Sequence, residues 1–144
     1  MAINKSYPGP QVVSRRFIVD DGLTGSGDTA IYGVTQPANS VLEKVFVRVL
    51  AAPTLTSGDI SLEVGTESDD PDDIINDTTA LNNVLDGAVT IAVNTVKDMT
   101  SELESGVATT LRTDDTQVNF RLRTSTAVSV AGKFEVSFVF RVFE

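Results

Sequence analysis

The sequence contains no cysteine, no histidine and no tryptophan. Without cysteine there is no disulfide framework, no thiolate nucleophile and no thiolate metal ligand. Without histidine there is no imidazole base, no Ser-His-Asp triad and no imidazole-ligated zinc. Basic residues are also scarce: 11 Lys and Arg stand against 20 Asp and Glu, for a formal net charge of −9. Nucleic-acid binding neutralises phosphates with a basic patch, so this balance argues against nucleic acid as a partner. No apolar run approaches the ~20 residues of a membrane-spanning helix, and no membrane association is expected. The opening MAINKSYPGPQ is polar and lacks the apolar stretch of a secretory signal. Synthesis in a reducing cytoplasm is the matching expectation. Carboxylate chemistry and an all-oxygen cation site are what remain, so an enzyme is not expected.

What is present is an alternation. In residues 132–144, GKFEVSFVFRVFE, Phe134, Val136, Phe138, Phe140 and Val142 are apolar at every second position. Between them stand Lys133, Glu135, Ser137, Val139, Arg141 and Phe143. A period of two sends alternate side chains to opposite faces of a sheet, so this is a strand with one buried face. The same period recurs around Val13, Phe17 and Val19, with Arg15 as the exception on that face. It recurs again at Val45, Val47 and Val49, at Ile60, Leu62 and Val64, and at Val118, Phe120 and Leu122. Shorter strands are expected over residues 30–34, 89–93 and 108–112. The stretch 97–106 is ambiguous, with Met99, Leu103 and Val107 spaced for a short helical turn.

Turn signals separate these segments: Asp21-Gly22, Gly25-Ser-Gly27-Asp28, Gln36-Pro37-Ala38-Asn39 and Thr113-Asp114-Asp115-Thr116. The glycine-rich stretch lacks the Lys-Ser/Thr of a phosphate loop and reads as a turn. Asp72 is expected to open one short helix that carries Ile74, Ile75, Thr78, Leu81, Val84 and Leu85 and ends at Gly87. No βα alternation and no long repeat is present. The expected fold is all-β, an antiparallel jelly-roll-like sandwich of about eight strands with one short helix. An immunoglobulin-like sandwich is the alternative, without its Cys-Trp-Cys hallmark. The 144 residues divide into an N-terminal arm, 1–11, and a single domain, 12–144, long enough for one core.

Two sets of residues are candidates for function. Asp69, Asp70, Asp72 and Asp73 form an acidic loop that could offer oxygen ligands to calcium. The loop glycine and terminal glutamate of an EF-hand are missing, and a solvated loop at a helix start is the plainer reading. No cofactor is expected. Arg15, Arg16, Arg48, Arg121, Arg123 and Arg141 fall within strands, where cross-strand pairing with Glu43, Glu63 or Glu135 is expected. Arginine also suits a subunit interface, because its planar donor fork binds carboxylates.

The layout resembles a known group. A polar arm leads into a compact all-β chain, with Ser61-Leu-Glu-Val-Gly65-Thr66 before an Asp-Pro-Asp loop and an aromatic-rich strand introduced by Ala131-Gly132-Lys133. This resembles the small jelly-roll decoration, or cement, proteins of tailed-bacteriophage capsids. The resemblance implies a non-enzymatic homotrimer on the outer capsid surface of a virion, bound to the major capsid protein and stabilising the shell. Under it, Ile3 and Tyr7 of the arm and Val139, Arg141 and Phe143 of the last strand are the interface candidates. A small-molecule ligand is not expected. Two alternatives share the architecture: a carbohydrate- or receptor-binding module, and a neck or head-completion adaptor. Sugar stacking would need exposed aromatics, for which Tyr7 and Tyr32 are the candidates.

Overall fold

The computed structural model describes residues 11–20, 30–55, 60–76, 93–124, 128–130 and 132–143. Within them the chain is an antiparallel β-sandwich. The strands in chain order are β1 (Gln11–Asp20), β2 (Tyr32–Gln36), β3 (Ser40–Ala51), β4 (Thr54–Leu55) and β5 (Ile60–Gly65). After these come β6 (Val96–Asp98), β7 (Thr116–Thr124), β8 (Val128–Val130) and β9 (Lys133–Val142). One sheet has the order β1-β9-β3-β6, the second β2-β7-β5, and β4 pairs with β8 apart from both.

The closing strand lies in the middle of its sheet. β9 pairs with β1 along its whole length and with β3 on its other side. Its four inward residues, Phe134, Val136, Phe138 and Phe140, are fully buried. They meet Val118, Phe120 and Leu122 of β7 and Ile60, Leu62 and Val64 of β5 in one continuous core. The aromatic rings join the two sheets: Phe120 lies 5.2 Å from Phe138 and 5.5 Å from Phe17. A strand with its neighbours on both edges has no free backbone groups, so its alternation is held in register twice.

β3 departs from simple alternation. Leu42 and Val45 are three residues apart, yet they stand opposite Phe140 and Phe138, two apart on β9. A bulge between Leu42 and Lys44 takes up the extra residue and returns both side chains to the core. A second bulge lies between Val49 and Ala51. Just before β9, Gly132 adopts φ +72°, and an added Cβ would lie 2.8 Å from the Ala51 carbonyl oxygen. Only glycine meets both demands there.

β1 is an edge strand. Arg15 shares the parity of Phe17 and Val19, stands opposite Phe138, and donates through Nε to the Thr35 carbonyl at 3.2 Å. A charge on the core side of an edge discourages further strand addition, and here it also ties the edge to β2 of the other sheet.

Several expectations are corrected. The second strand begins at Tyr32, so it lies two residues later than expected. Residues 72–76 are not helical, because Ile75 instead forms a bridge with Val64. Residues 77–87 of the expected helix lie outside the described residues, as does most of the strand expected at 89–93. Residues 108–112 are not a strand. Helix α1 (Ser105–Ala108) occupies the start of that segment, and Arg112 makes a single bridge to Ser40. The helical turn suspected around Met99, Leu103 and Val107 is real: a 3-10 turn (Thr100–Glu102) and α1 place Met99 in the core, with Leu103 and Val107 against it. The glycine-rich turn at 25–28 lies outside the described residues. So do residues 1–10 of the expected arm, while Gln11 opens β1. Among the described residues, no helix is long and apolar enough to cross a membrane.

Candidate functional site

The acidic loop is built onto β5. All six residues of β5 are buried, so the strand is covered on both faces. On the face away from the core stand Ser61 and Glu63, beside Asn119 and Arg121 of β7, and all four are buried. The alternation alone assigns these positions to solvent. They are buried because residues 66–73 fold back over the sheet. The backbone N–H and Oγ1 of Thr66 both donate to the Asp73 carboxylate at 2.7 Å. The N–H groups of Ile74 and Ile75 both donate to the Val64 carbonyl at 2.9 Å. Gly65 permits the close return, since an added Cβ would lie 2.6 Å from the Pro71 carbonyl carbon.

Beneath this loop lies an ion-pair network. Arg121 donates from Nε to Glu63 at 2.5 Å and from Nη2 to Asp70 at 2.8 Å, and Arg123 reaches Glu63 at 3.4 Å. The side chains of Glu63 and Arg121 are 1% and 7% exposed. Charges so far from water are tolerated only when paired and hydrogen-bonded. The network therefore clamps the loop to the sheet.

The four calcium candidates are not gathered around one point. Asp70 is committed to Arg121 and Asp73 to Thr66, while Asp69 is exposed. The cluster that does form among the described residues is Glu63, Asp70 and Asp72, with carboxylate oxygens within 4.8 Å of one another. Glu63 is absent from the sequence-based set. The signal that could have included it is a lone carboxylate in the middle of an otherwise apolar strand, ISLEVG. The Arg121 guanidinium already supplies the positive charge a cation would bring, so the geometry describes a salt-bridge network.

The outer face of the four-stranded sheet carries the other ion pairs. Glu135 of β9 lies 3.6 Å from Arg16 on β1 and 4.0 Å from Arg48 on β3. Arg141 forks onto Glu43, with Nη2 at 2.8 Å from Oε1 and Nε on Oε2. The hydrogen bond and charge of Arg141 hold the Glu43 carboxyl below its usual range, against an opposing effect of partial burial. Thr100, whose backbone N–H donates to Oδ1 at 2.9 Å, does the same for Asp98. Both groups favour the folded state when ionised. That contribution is complete above the ordinary carboxylate range and is lost as pH falls through the depressed folded values. The melting temperatures of wild type and Glu43→Gln should differ at neutral pH and converge as the pH is lowered from about 5 toward 3. A gap that is constant across that range would refute the assignment.

Val139 and Arg141 lie half-buried on this outer face, and Phe143 follows at its end, 39% exposed. Ile3 and Tyr7 lie outside the described residues. Tyr32 is half-buried, 4.9 Å from Phe17 and 5.7 Å from Phe120, so its ring is engaged in the aromatic cluster between the sheets.

No family model and no curated protein matches the sequence. The structure is similar to a chain of the cyanophage Pam1 capsid asymmetric unit, with a TM-score of 0.54 and 16% identity. The match covers 99% of this chain and 92% of that one. The likeness is one of fold.

Proposed function

We propose that this protein is a non-enzymatic structural component of a phage virion, a decoration protein that binds the outer capsid surface as a trimer and stabilises the shell. The observation that carries the reading is the likeness, along nearly the whole chain, to a protein from a phage capsid. The strand order supports its jelly-roll form. Among the long strands, β1, β3 and β9 lie in one sheet and β2, β5 and β7 in the other, so the chain crosses the core repeatedly as a jelly roll does. The ionic groups fit a structural role as well: Glu43, Glu63 and Glu135 each hold an arginine across strands. Cement proteins act by adding contact across subunit junctions, and many modest interfaces repeated by symmetry bind with avidity. On this reading the partners are two further copies and the major capsid protein. Neither nucleic acid nor membrane is involved, and synthesis takes place in the host cytoplasm.

Light scattering on the purified chain should give three times the 15.3 kDa chain mass. The protein should also pellet with capsid shells of its source particle, in hundreds of copies per shell. A chain that stays monomeric at about 100 μM, far above a micromolar Kd, and remains in the supernatant would overturn the proposal.

A further inference from the structure

The outer faces of the two sheets differ in cover and in charge. Residues 66–73 fold over β5 and β7, so that face is occupied by the chain itself. The outer face of the β1-β9-β3-β6 sheet stays open to solvent. Val12 and Ile18 on β1 and Val96 on β6 point outward there, 54%, 47% and 58% exposed. Phe46 and Val139 lie half-buried between them. The ions of this face sit at unequal depth. Glu135 is 14% exposed, and the Arg16 and Arg48 guanidinium groups on either side of it are 67% and 45% exposed. Two cations share one recessed carboxylate, so this row presents an uncompensated positive charge. Lys44, opposite Val139, is exposed as well. Across the face, Arg16, Lys44, Arg48, Lys133 and Arg141 outnumber Asp20, Glu43, Asp98 and Glu135. The chain as a whole carries −9, so its acidity lies elsewhere.

We propose that this face docks on an acidic protein surface, one that sets carboxylates around apolar side chains, and that the surface belongs to the capsid shell. The proposal rests on the capsid reading above and names the face that makes the contact. Charge complementarity carries it. A partner carboxylate can take the remaining donors of Arg16 or Arg48, to which the planar arginine fork is suited. Val12, Ile18 and Val96 then lose their exposed apolar area. A phosphate polyanion fits less well, because apolar side chains stand among these cations and the rest of an acidic chain repels it.

Co-sedimentation with shells of the source particle, assembled without this chain, tests the proposal. Wild-type binding should weaken as salt rises from about 0.05 to 0.5 M. Arg16→Glu and Lys44→Glu should each weaken it at least about tenfold, and Ile18→Ser should weaken it without changing the salt dependence. Lys44→Glu alters an exposed side chain, which keeps the test standing if Arg16→Glu fails to fold. Arg112→Glu makes the same change in net charge at a position opposite the buried Ser40, and should bind as wild type does. Full binding by Lys44→Glu and Ile18→Ser, or an equal loss in Arg112→Glu, overturns this inference and leaves the capsid role standing. So does tighter retention on single-stranded DNA or on phosphatidylcholine–phosphatidylserine vesicles than on shells. Self-association that Lys44→Glu abolishes while shell binding persists would make the face a contact between copies and overturn it too. A wild-type chain that ignores the shells overturns both readings.

Discussion

Phe138→Ala should destabilise the fold by about 3–5 kcal/mol, the usual cost of deleting a fully buried phenyl ring. Phe138 has no exposed surface and lies at the centre of β9, with Phe120 on the opposite sheet and Phe140 stacked at 6.5 Å. Removal leaves a cavity between two sheets that are fixed by their own hydrogen bonds, so neither can move in to fill it. Domains of this kind are stable by roughly 5–15 kcal/mol, so the variant should lose a large share of that margin. Urea denaturation reads this as a lower midpoint with an unchanged slope. Phe143→Ala, at the exposed residue just past the end of the same strand, should change monomer stability by less than about 0.5 kcal/mol. Equal losses at the two sites would contradict the placement of β9.

Glu63→Ala should cost a similar amount for a different reason. The substitution removes the buried acceptor of Arg121 and leaves a guanidinium 7% exposed with its main carboxylate gone. Breaking one half of a buried pair costs up to about 3–5 kcal/mol, because Arg121 loses its buried counter-charge. Asp70 also binds Arg121, but its side chain is 63% exposed and screened by water. Asp70→Ala should therefore cost under about 1 kcal/mol. Replacing the pair together, Glu63→Leu with Arg121→Met, should recover most of the loss, since no charge then remains to be buried. A double variant as unstable as Glu63→Ala would show that the network does more than neutralise itself.

The arginine–glutamate pairs show where sequence reasoning reaches its limit. Strand alternation places Glu63 and Glu135 on the face of the strand arginines, whereas Glu43 reaches Arg141 only through the bulge in β3, and all three are paired in the structure. Which arginine meets which glutamate depends on register. Arg121 stands opposite Glu63, and Glu135 stands between Arg16 and Arg48, only because β7 lies beside β5 and β9 lies between β1 and β3. The acidic loop shows the same limit from the other side. Its carboxylates are conspicuous in the sequence, but the one buried among them, Glu63, belongs to the preceding strand.

The sequence by itself determined the fold class and the inward residues of β5, β7 and β9. A period of two is a local property: each residue's side is set by its neighbours in the chain, and Phe134, Val136, Phe138 and Phe140 needed no partner to declare a face. Tertiary structure alone decided three things. The bulge in β3 shifts Leu42 and Val45 onto one face, and a bulge exists only relative to the strand it pairs with. The fold-back of residues 66–73 buries Asn119 and Arg121 on the side that alternation assigns to water. The meeting of β9, β3 and the segment after α1 ties the Phe143 N–H to the Asn39 carbonyl and the Asn39 N–H to the Arg112 carbonyl. Each is a contact between distant segments. Burial depends on what arrives from elsewhere in the chain, and local periodicity carries no record of that.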